Sequence, residues 1–408
     1  MRRSVDEHLE VILGTVKPLP PFEQPLMEAL GLVLCEDVVS PVSLPGFDNS
    51  AMDGYAVQAA DLAGATRESP ITLPVVGEIA AGRSEPIVVT PGTCVRIMTG
   101  APMPRGADSV VPVEWTDGGT ASARITQQPP LGASVRRAGE DLLAGDKVMT
   151  SDTLIGPRQI AVLAAVGRAR VTVRPRPRVV VVSTGAELRE PGTRLGDGQI
   201  YDSNSYTLAA AARQAGAVVY RVGIVDDDPK KIMDTLSDQL VRADLVITTG
   251  GVSKGAYDVV KEVLSKLGTI DFPEVAMQPG KPQGFGVMGE DEVPIFTLPG
   301  NPVSAYVSFE VFVRPALRKL MGATAHRRTT VQGVVRNGFS SPAGRRQFVR
   351  AAATSGDEGW MASTVGGHGS HLLGGLSRSN ALIVVPEDVT TVRAGEQAEL
   401  WLLDEETG

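Results

Sequence analysis

TTGGVSKGAYD, Thr248 to Asp258, stands between a run of strand formers, Leu245 to Ile247, and a segment with helical spacing, Val259, Val260, Val263, Leu264 and Leu267. Gly250 and Gly251 open the turn, and Ser253, Lys254 and Gly255 follow. A strand, glycine turn and helix in this order place bare backbone N–H groups and the positive end of a helix dipole around one point. That point suits an anion. The GK[ST] ending of a P-loop and its spacing are missing, which argues against a P-loop ATPase.

Two further strand ends share this chemistry. Arg178 to Val182 is a continuous β-branched run leading into Ser183, Thr184 and Gly185, with Glu187 just beyond. Ile295 to Leu298 leads into PGNPVS, Pro299 to Ser304, where Asn301 can cap a helix whose first turn holds Pro302. Strands over 178–183, 218–225 and 245–249 alternate with helices over 203–215, 229–241 and about 257–267, the pattern of a doubly wound α/β domain. Three small-residue turns at strand ends imply one crevice at the carboxyl edge of a parallel sheet. A helix over 302–321 closes the domain, and Pro315 should kink or split it. Asp228 precedes Pro229 as a cap, whereas Asp227 has no such local duty.

Carboxylates beside anion-binding turns create a conflict, because Glu187, Asp227 and Asp258 repel a phosphate unless a cation lies between them. Mg²⁺ resolves it, being held by one or two carboxylates plus substrate phosphates. The implied chemistry is metal-assisted cleavage or transfer at a phosphoryl centre. The competing reading, in which Asp258 supports its helix start and Glu187 faces solvent, stays open at this stage.

The remaining bounds are broad. At 408 residues the chain has room for about three domains of roughly 150 residues each. A net charge of -8 argues against a general nucleic-acid grip, so a small-molecule partner is expected. Two cysteines, Cys35 and Cys94, form no CxxC pattern, and His368 and His371 flank a glycine-rich turn, so no soft-metal site is expected. No apolar run approaches the roughly 18 to 20 residues of a membrane span, and MRRSVDEHLEVIL is interrupted by acids where a signal peptide would be apolar. A cytoplasmic protein is expected.

In chain order, a helix over 4–14 precedes a second amphipathic segment over 24–29 and a strand over 32–39. Residues 71–149 read as short strands between Gly and Pro turns, and 325–408 as a small β-barrel or sandwich of about 80 residues. On composition alone, Asp53 in FDNSAMDGYAV is a turn former, and the Arg96 to Gly100 and Arg136 to Asp141 clusters are self-neutralising surface.

Taken together, FDNSAMDGYAV (Phe47 to Val57), RIMTGAPMPRGAD (Arg96 to Asp108), RRAGED (Arg136 to Asp141), VSTGAEL (Val182 to Leu188), YDSNS (Tyr201 to Ser205), TTGGVSKGAYD, PGKP (Pro279 to Pro282) and LPGNPVS (Leu298 to Ser304) resemble the bacterial MoeA family, the molybdopterin molybdenumtransferases. The motifs occur in the family's order over nearly the whole chain. The resemblance implies a multidomain α/β plus β chain: an amino-terminal connecting domain over 1–42 and 142–176, a β-rich lobe over 43–141, a MogA-like doubly wound domain over 177–324 and a carboxy-terminal β-barrel over 325–408. It further implies Mg²⁺-dependent insertion of molybdenum from molybdate into adenylylated molybdopterin with release of AMP, in a cytoplasmic homodimer. Other proteins of the molybdenum-cofactor pathway are implied as partners, and nucleic acid and membrane are not.

Carried over by position, Glu187, Asp227 and Asp258 match the family's acidic set at the crevice, with Glu187 and Asp258 holding the metal. Asp53, Thr99 and Asp141 match catalytic positions contributed by the β-rich lobe of the other subunit. Thr184, Gly185, Gly250, Gly251, Ser253, Lys254, Pro299, Gly300, Asn301 and Pro302 match the substrate-binding turns, Asp202 and Ser203 the pterin and oxyanion pocket, and Ser370 a serine of the carboxy-terminal loop. The dianion molybdate needs donors and cations, for which Ser203, Arg178, Lys254 and Lys281 are candidates. Two departures stand out: Gln278 where many relatives carry lysine, and His371 where the carboxy-terminal loop usually has glycine. The runner-up readings are the molybdopterin adenylyltransferase, which shares the α/β domain, and a non-catalytic scaffold.

Overall fold

A computed structural model describes residues 2–82, 87–250, 256–367 and 369–404, with the backbone alone for 256–261. Its centre is a six-stranded sheet in the order Val218–Val225, Arg178–Thr184, Leu245–Thr249, Val293–Leu298, Gly284–Met288, Gly268–Asp271. The first four strands are mutually parallel, and Gly284–Met288 runs antiparallel to both its neighbours. Residues Val179 to Val182 are at most 1% exposed. The run is continuous because both faces are covered: Val179 and Val181 join the cluster built with the helices Val5–Thr15 and Asn204–Gln214, while Val180 and Val182 face Ile232, Leu236, Val263 and Leu264 on the other side.

The closing helix splits as expected, with the break ahead of Pro315. Pro302–Ser308 is α-helical, Phe309–Val313 forms a π turn, and Arg314–Leu320 resumes the α-helix with Pro315 in its first turn. Proline has no N–H to donate and clashes with the carbonyl four residues back, and a wider turn just upstream absorbs both faults.

Around this centre lie two β units and a connecting region. Thr330–Val335, Arg346–Gly356, Gly359–Thr364, Ala381–Val385 and Gln397–Leu402 close into a five-stranded barrel, because Arg346–Gly356 pairs with both Gly359–Thr364 and Ala381–Val385. The β-rich lobe is a five-stranded sheet in the order Ser109–Pro112, Gly54–Val57, Cys94–Ile97, Ile71–Ile79, Ser122–Ile125. Chain segments before and after that lobe meet: Phe22–Pro25 pairs with Arg170–Val173, and Val38–Val39 with Lys147–Met149.

Two expectations fail in this connecting region. The amphipathic segment over 24–29 is the strand Phe22–Pro25 followed by a 3-10 turn, Leu26–Ala29, since pairing to Arg170–Val173 overrides a six-residue helical pattern. The strand over 32–39 shrinks to Val38–Val39, with single bridges at Val33 and Leu34. Among the described residues no helix is long and apolar enough to cross a membrane.

Candidate functional site at the carboxyl edge of the central sheet

The three turns singled out by sequence converge. A cavity of about 360 Å³ opens at the carboxyl ends of Arg178–Thr184 and Leu245–Thr249, beside the turn that follows Val293–Leu298. Thr184, Glu187, Asp202, Ser203, Gly250, Gly300, Asn301 and Pro302 all line it. Close approach of backbones makes this possible. Gly250 has φ +92°, and a Cβ there would sit 2.1 Å from the Thr184 carbonyl oxygen, so no larger residue fits between the first two turns. Pro299 closes the third turn by accepting a hydrogen bond from Thr249 Oγ1 at 3.4 Å.

Among the described residues, two buried polar atoms at this edge, Thr184 Oγ1 and Asp227 Oδ1, find no hydrogen-bond partner. Such atoms are costly unless something else satisfies them. Asp227 Oδ2 accepts from Ala186 N at 3.2 Å, and a Cβ on Gly185 would lie 2.6 Å from Glu187 Oε2, so both acids flank the same 185–187 turn. Glu187 itself is exposed. Among the described residues no group of three or more His, Cys, Asp or Glu gathers as a metal cage.

Asp202 is spent internally. It is 1% exposed, and its carboxylate accepts from Ser183 Oγ at 3.1 Å, Ser205 N at 3.0 Å and Ser205 Oγ at 2.5 Å. It therefore shapes the cavity wall and offers few lone pairs to a ligand. Ser203 sits at the start of Asn204–Gln214 without a side-chain capping bond. Asn301 occupies the cap position of its helix, yet its side chain makes no capping bond either, contrary to expectation; its amide is exposed beside the cavity.

The carboxy-terminal barrel completes one wall. Ser370 O accepts from Val303 N at 3.1 Å, docking the loop on the helix that starts at Pro302, and His371 and Leu373 line the cavity. Arg350, 4% exposed, holds that loop by donating to the carbonyls of Gly367 and Leu372. Burial pulls the Arg350 guanidinium below its ordinary value. Sequence reading missed Arg350, which resembles any arginine in a strand, and Asn204, whose Nδ2 bridges Thr249 Oγ1 at 3.0 Å and Gly300 O at 2.7 Å.

Other candidates lie elsewhere. Arg178 begins its strand six residues before the crevice, about 20 Å away along an extended chain, and is bound to Asp244 through Nη2–Oδ1 at 2.8 Å and Nε–Oδ2 at 3.0 Å. It is not an oxyanion ligand of this cavity. Lys281 does not line the cavity and pairs with Glu274 at 2.7 Å. Asp53 and Thr99 come together across 46 residues: Asp53 Oδ1 accepts from both Thr99 N and Thr99 Oγ1 at 2.7 Å. Those bonds, the backbone one foremost, hold the Asp53 carboxyl below the usual range. Asp141 is exposed, its backbone N–H bound to Leu44 O at 3.0 Å. None of these three lines the cavity. Gly251, Ser253, Lys254 and His368 lie outside the described residues, as does the side chain of Asp258, whose backbone belongs to the helix Ala256–Leu267.

A larger cavity of about 660 Å³ lies between the amino-terminal helix and the barrel. Its charged lining closes on itself, Asp6 binding Arg346 at 2.7 Å and Arg327 at 3.2 Å, and no predicted site residue reaches it.

Comparison with known proteins accounts for the whole chain. Residues 3–167 match the MoeA N-terminal region (domain I and II), 180–319 a probable molybdopterin binding domain, and 332–403 the MoeA C-terminal region (domain IV). Molybdopterin molybdenumtransferase 2 of Mycobacterium tuberculosis is 48% identical over 408 aligned residues, spanning 98% of this chain and 99% of the relative. The molybdopterin molybdenumtransferase of Haemophilus influenzae is 36% identical over 376, spanning 91% of each. Two crystal structures of the MoeA protein from Pyrococcus horikoshii superimpose with TM-scores of 0.84 and 0.80 at 30% and 29% identity, covering 100% and 98% of this chain and 100% of theirs. With all three regions matched in order by full-length relatives, the chain belongs to the MoeA family of molybdopterin molybdenumtransferases.

Proposed function

We propose that this enzyme inserts molybdenum into molybdopterin, taking molybdate and the adenylylated pterin at the carboxyl-edge crevice and releasing AMP. The observation that carries the site is a cavity framed by three strand-end turns with two buried atoms unpartnered among the described residues, Thr184 Oγ1 on its lining and Asp227 Oδ1 beside the adjoining 185–187 turn. A phosphorylated ligand supplies what they lack: phosphate oxygens for the Thr184 hydroxyl and the backbone N–H groups, and a cation-neutralised edge for the acids. The donor chemistry of Glu187 and Asp227, which flank one turn, suits Mg²⁺, which needs only one or two carboxylates beside substrate oxygens. Asp258 is the third acid of the expected set. Bound there, the ion would neutralise charge developing on the phosphoanhydride.

The chain's own residues bind and orient. Asn204 ties the turns after Thr249 and Pro299 together, Gly250 lets the first two turns approach each other, and the Ser370 loop covers one side. The exposed Asp53–Thr99 pair and Asp141 lie on a separate lobe, so their part in the reaction requires a second subunit whose lobe faces this crevice.

The test is AMP release from adenylylated molybdopterin by purified protein with Mg²⁺, with and without molybdate, repeated with Asp258→Ala. The expected result is molybdate-dependent release that the substitution lowers about 100-fold or more. Conversion of molybdopterin and ATP to the adenylylated form, with no consumption of that form, would overturn the reading in favour of an adenylyltransferase. Binding without turnover would leave a scaffold.

A further inference from the structure

The two segments that frame one side of the crevice, 185–190 and 200–206, form little regular structure of their own. They share a two-residue parallel pairing, Leu188–Arg189 with Ile200–Tyr201. They are held as well from the neighbouring edge strand, Val218–Val225. There the pairing slips between Val181 and Val182, opposite Arg221 and Gly223, so Val222 is an extra residue in the strand. Gly223 takes φ +96°. Such bulges bend a strand and re-aim its side chains.

Arg221 is the side chain re-aimed. Its Nη1 and Nη2 each donate to a Glu190 oxygen at 2.9 Å, Nη2 also meets Tyr206 Oη at 3.0 Å, and Nη1 reaches Ser205 Oγ at 3.3 Å. The guanidinium stacks on the Tyr206 ring at 4.1 Å and lies 3.9 Å from the buried Asp202 carboxylate. One planar group thus touches both segments: Glu190, three residues beyond Glu187, and the Asp202–Tyr206 stretch beside Ser203. Only a fork of parallel donors can bind a carboxylate bidentately while its face stacks on a ring.

We infer that Arg221 is a positioning residue, a clamp that sets the separation of the Glu187 turn from the Asp202–Ser203 wall and so presents the crevice in its reactive shape. It touches no substrate and acts through Glu190, Ser205 and Tyr206. The inference rests on the function proposed above for this crevice.

The test compares wild type with Arg221→Met, Arg221→Lys and Glu190→Gln, using AMP release with molybdate and native-state hydrogen exchange. Leu188, Ile200 and Asp202 donate backbone hydrogen bonds within the clamped region, to Gly185, Glu187 and Arg189. In Arg221→Met these amides should exchange about tenfold faster while Val181 and Ile247 in the sheet are unchanged. The kcat should fall about 10- to 100-fold with KM within about threefold, as expected when reacting groups are misplaced by about 1 Å. Lysine should not rescue, since it lacks the fork. Glu190→Gln, on a more exposed partner, should shift both readouts the same way by less, and serves if Arg221→Met does not fold. Unchanged exchange at Leu188, Ile200 and Asp202 overturns the clamp, and faster exchange with undiminished kcat overturns its link to the chemistry. If wild type releases no AMP, the functional reading fails, and the exchange data still decide the clamp.

Discussion

Asp202 and Asp53 occupy opposite kinds of ground. Asp202 lies under the crevice wall, fully buried, with both carboxylate oxygens occupied by Ser183 and Ser205. Asp53 stands exposed on the surface of the β-rich lobe, where Thr99 donates to one carboxylate oxygen through both its N–H and its hydroxyl. The crevice is preorganised by the α/β domain together with the barrel's loop, which forms one wall, whereas the lobe presents a small acidic feature that makes no cavity by itself. A half-site of that kind gains meaning only against an opposing surface.

Breaking the crevice should have the largest effect. In Gly250→Ala the new methyl carbon would collide with the Thr184 carbonyl at a backbone conformation alanine rarely adopts. Urea unfolding should show a loss of about 3 kcal/mol or more, with AMP release lost as well.

Acid should separate the two regions next. His8, on the amino-terminal helix, is 1% exposed and packs edge-on against Phe312 at 4.8 Å in the cluster beneath the central sheet. Burial pushes its imidazole down from 6.5 to about 4. The neutral form is the one the fold accepts, so stability is intact above pH 6.5 and declines as pH falls toward 4, where the unfolded chain takes up the proton first. The full loss is roughly 3 kcal/mol from a shift of this size. The β-rich lobe has its own two hydrophobic clusters and no part in this. Urea midpoints at pH 7.5 and 4.5, followed by hydrogen exchange, should show the α/β half weakening while Tyr55 and Val111 stay protected. His8→Leu should flatten the profile above pH 4.5.

The smallest effect on stability belongs to the lobe. Asp53→Asn should leave the unfolding midpoint close to wild type, because the group is fully exposed. Its effect should appear in turnover alone, and only in a dimer. Mixing Asp53→Asn with Asp258→Ala subunits should restore part of the AMP release if each lobe serves the other subunit's crevice. No restoration would overturn the arrangement in which each lobe serves the other subunit's crevice.

Much of the α/β domain was legible because its signals are local. Runs such as Val179 to Val182 are buried on both faces, so no alternation interrupts them, and the turns at Gly185, Gly250 and Gly300 carry residues that few other conformations demand. Asp228 was read as a cap for the same reason, and it accepts from Lys230 N and Lys231 N at 2.9 Å. The connecting region was misread at 24–29 and 32–39, where short segments take their form from partners about 110 to 150 residues away. Arg178 was misplaced on its charge alone, although it opens the strand whose far end carries the crevice, so chain direction puts it at the opposite edge of the sheet.

By itself, then, the sequence determined the order of elements, the three strand-end turns and the residue types gathered at them, because strand, turn and cap preferences act over a few residues. Only the tertiary structure decided that Asp202 is consumed by Ser183 and Ser205, that Asn204 ties two turns together, that Arg350 pins the barrel's loop against the crevice, and that a bulge aims Arg221 at Glu190. Those roles depend on which groups burial brings within about 3 Å of one another, and that distance is set by packing across the sheet rather than by spacing along the chain.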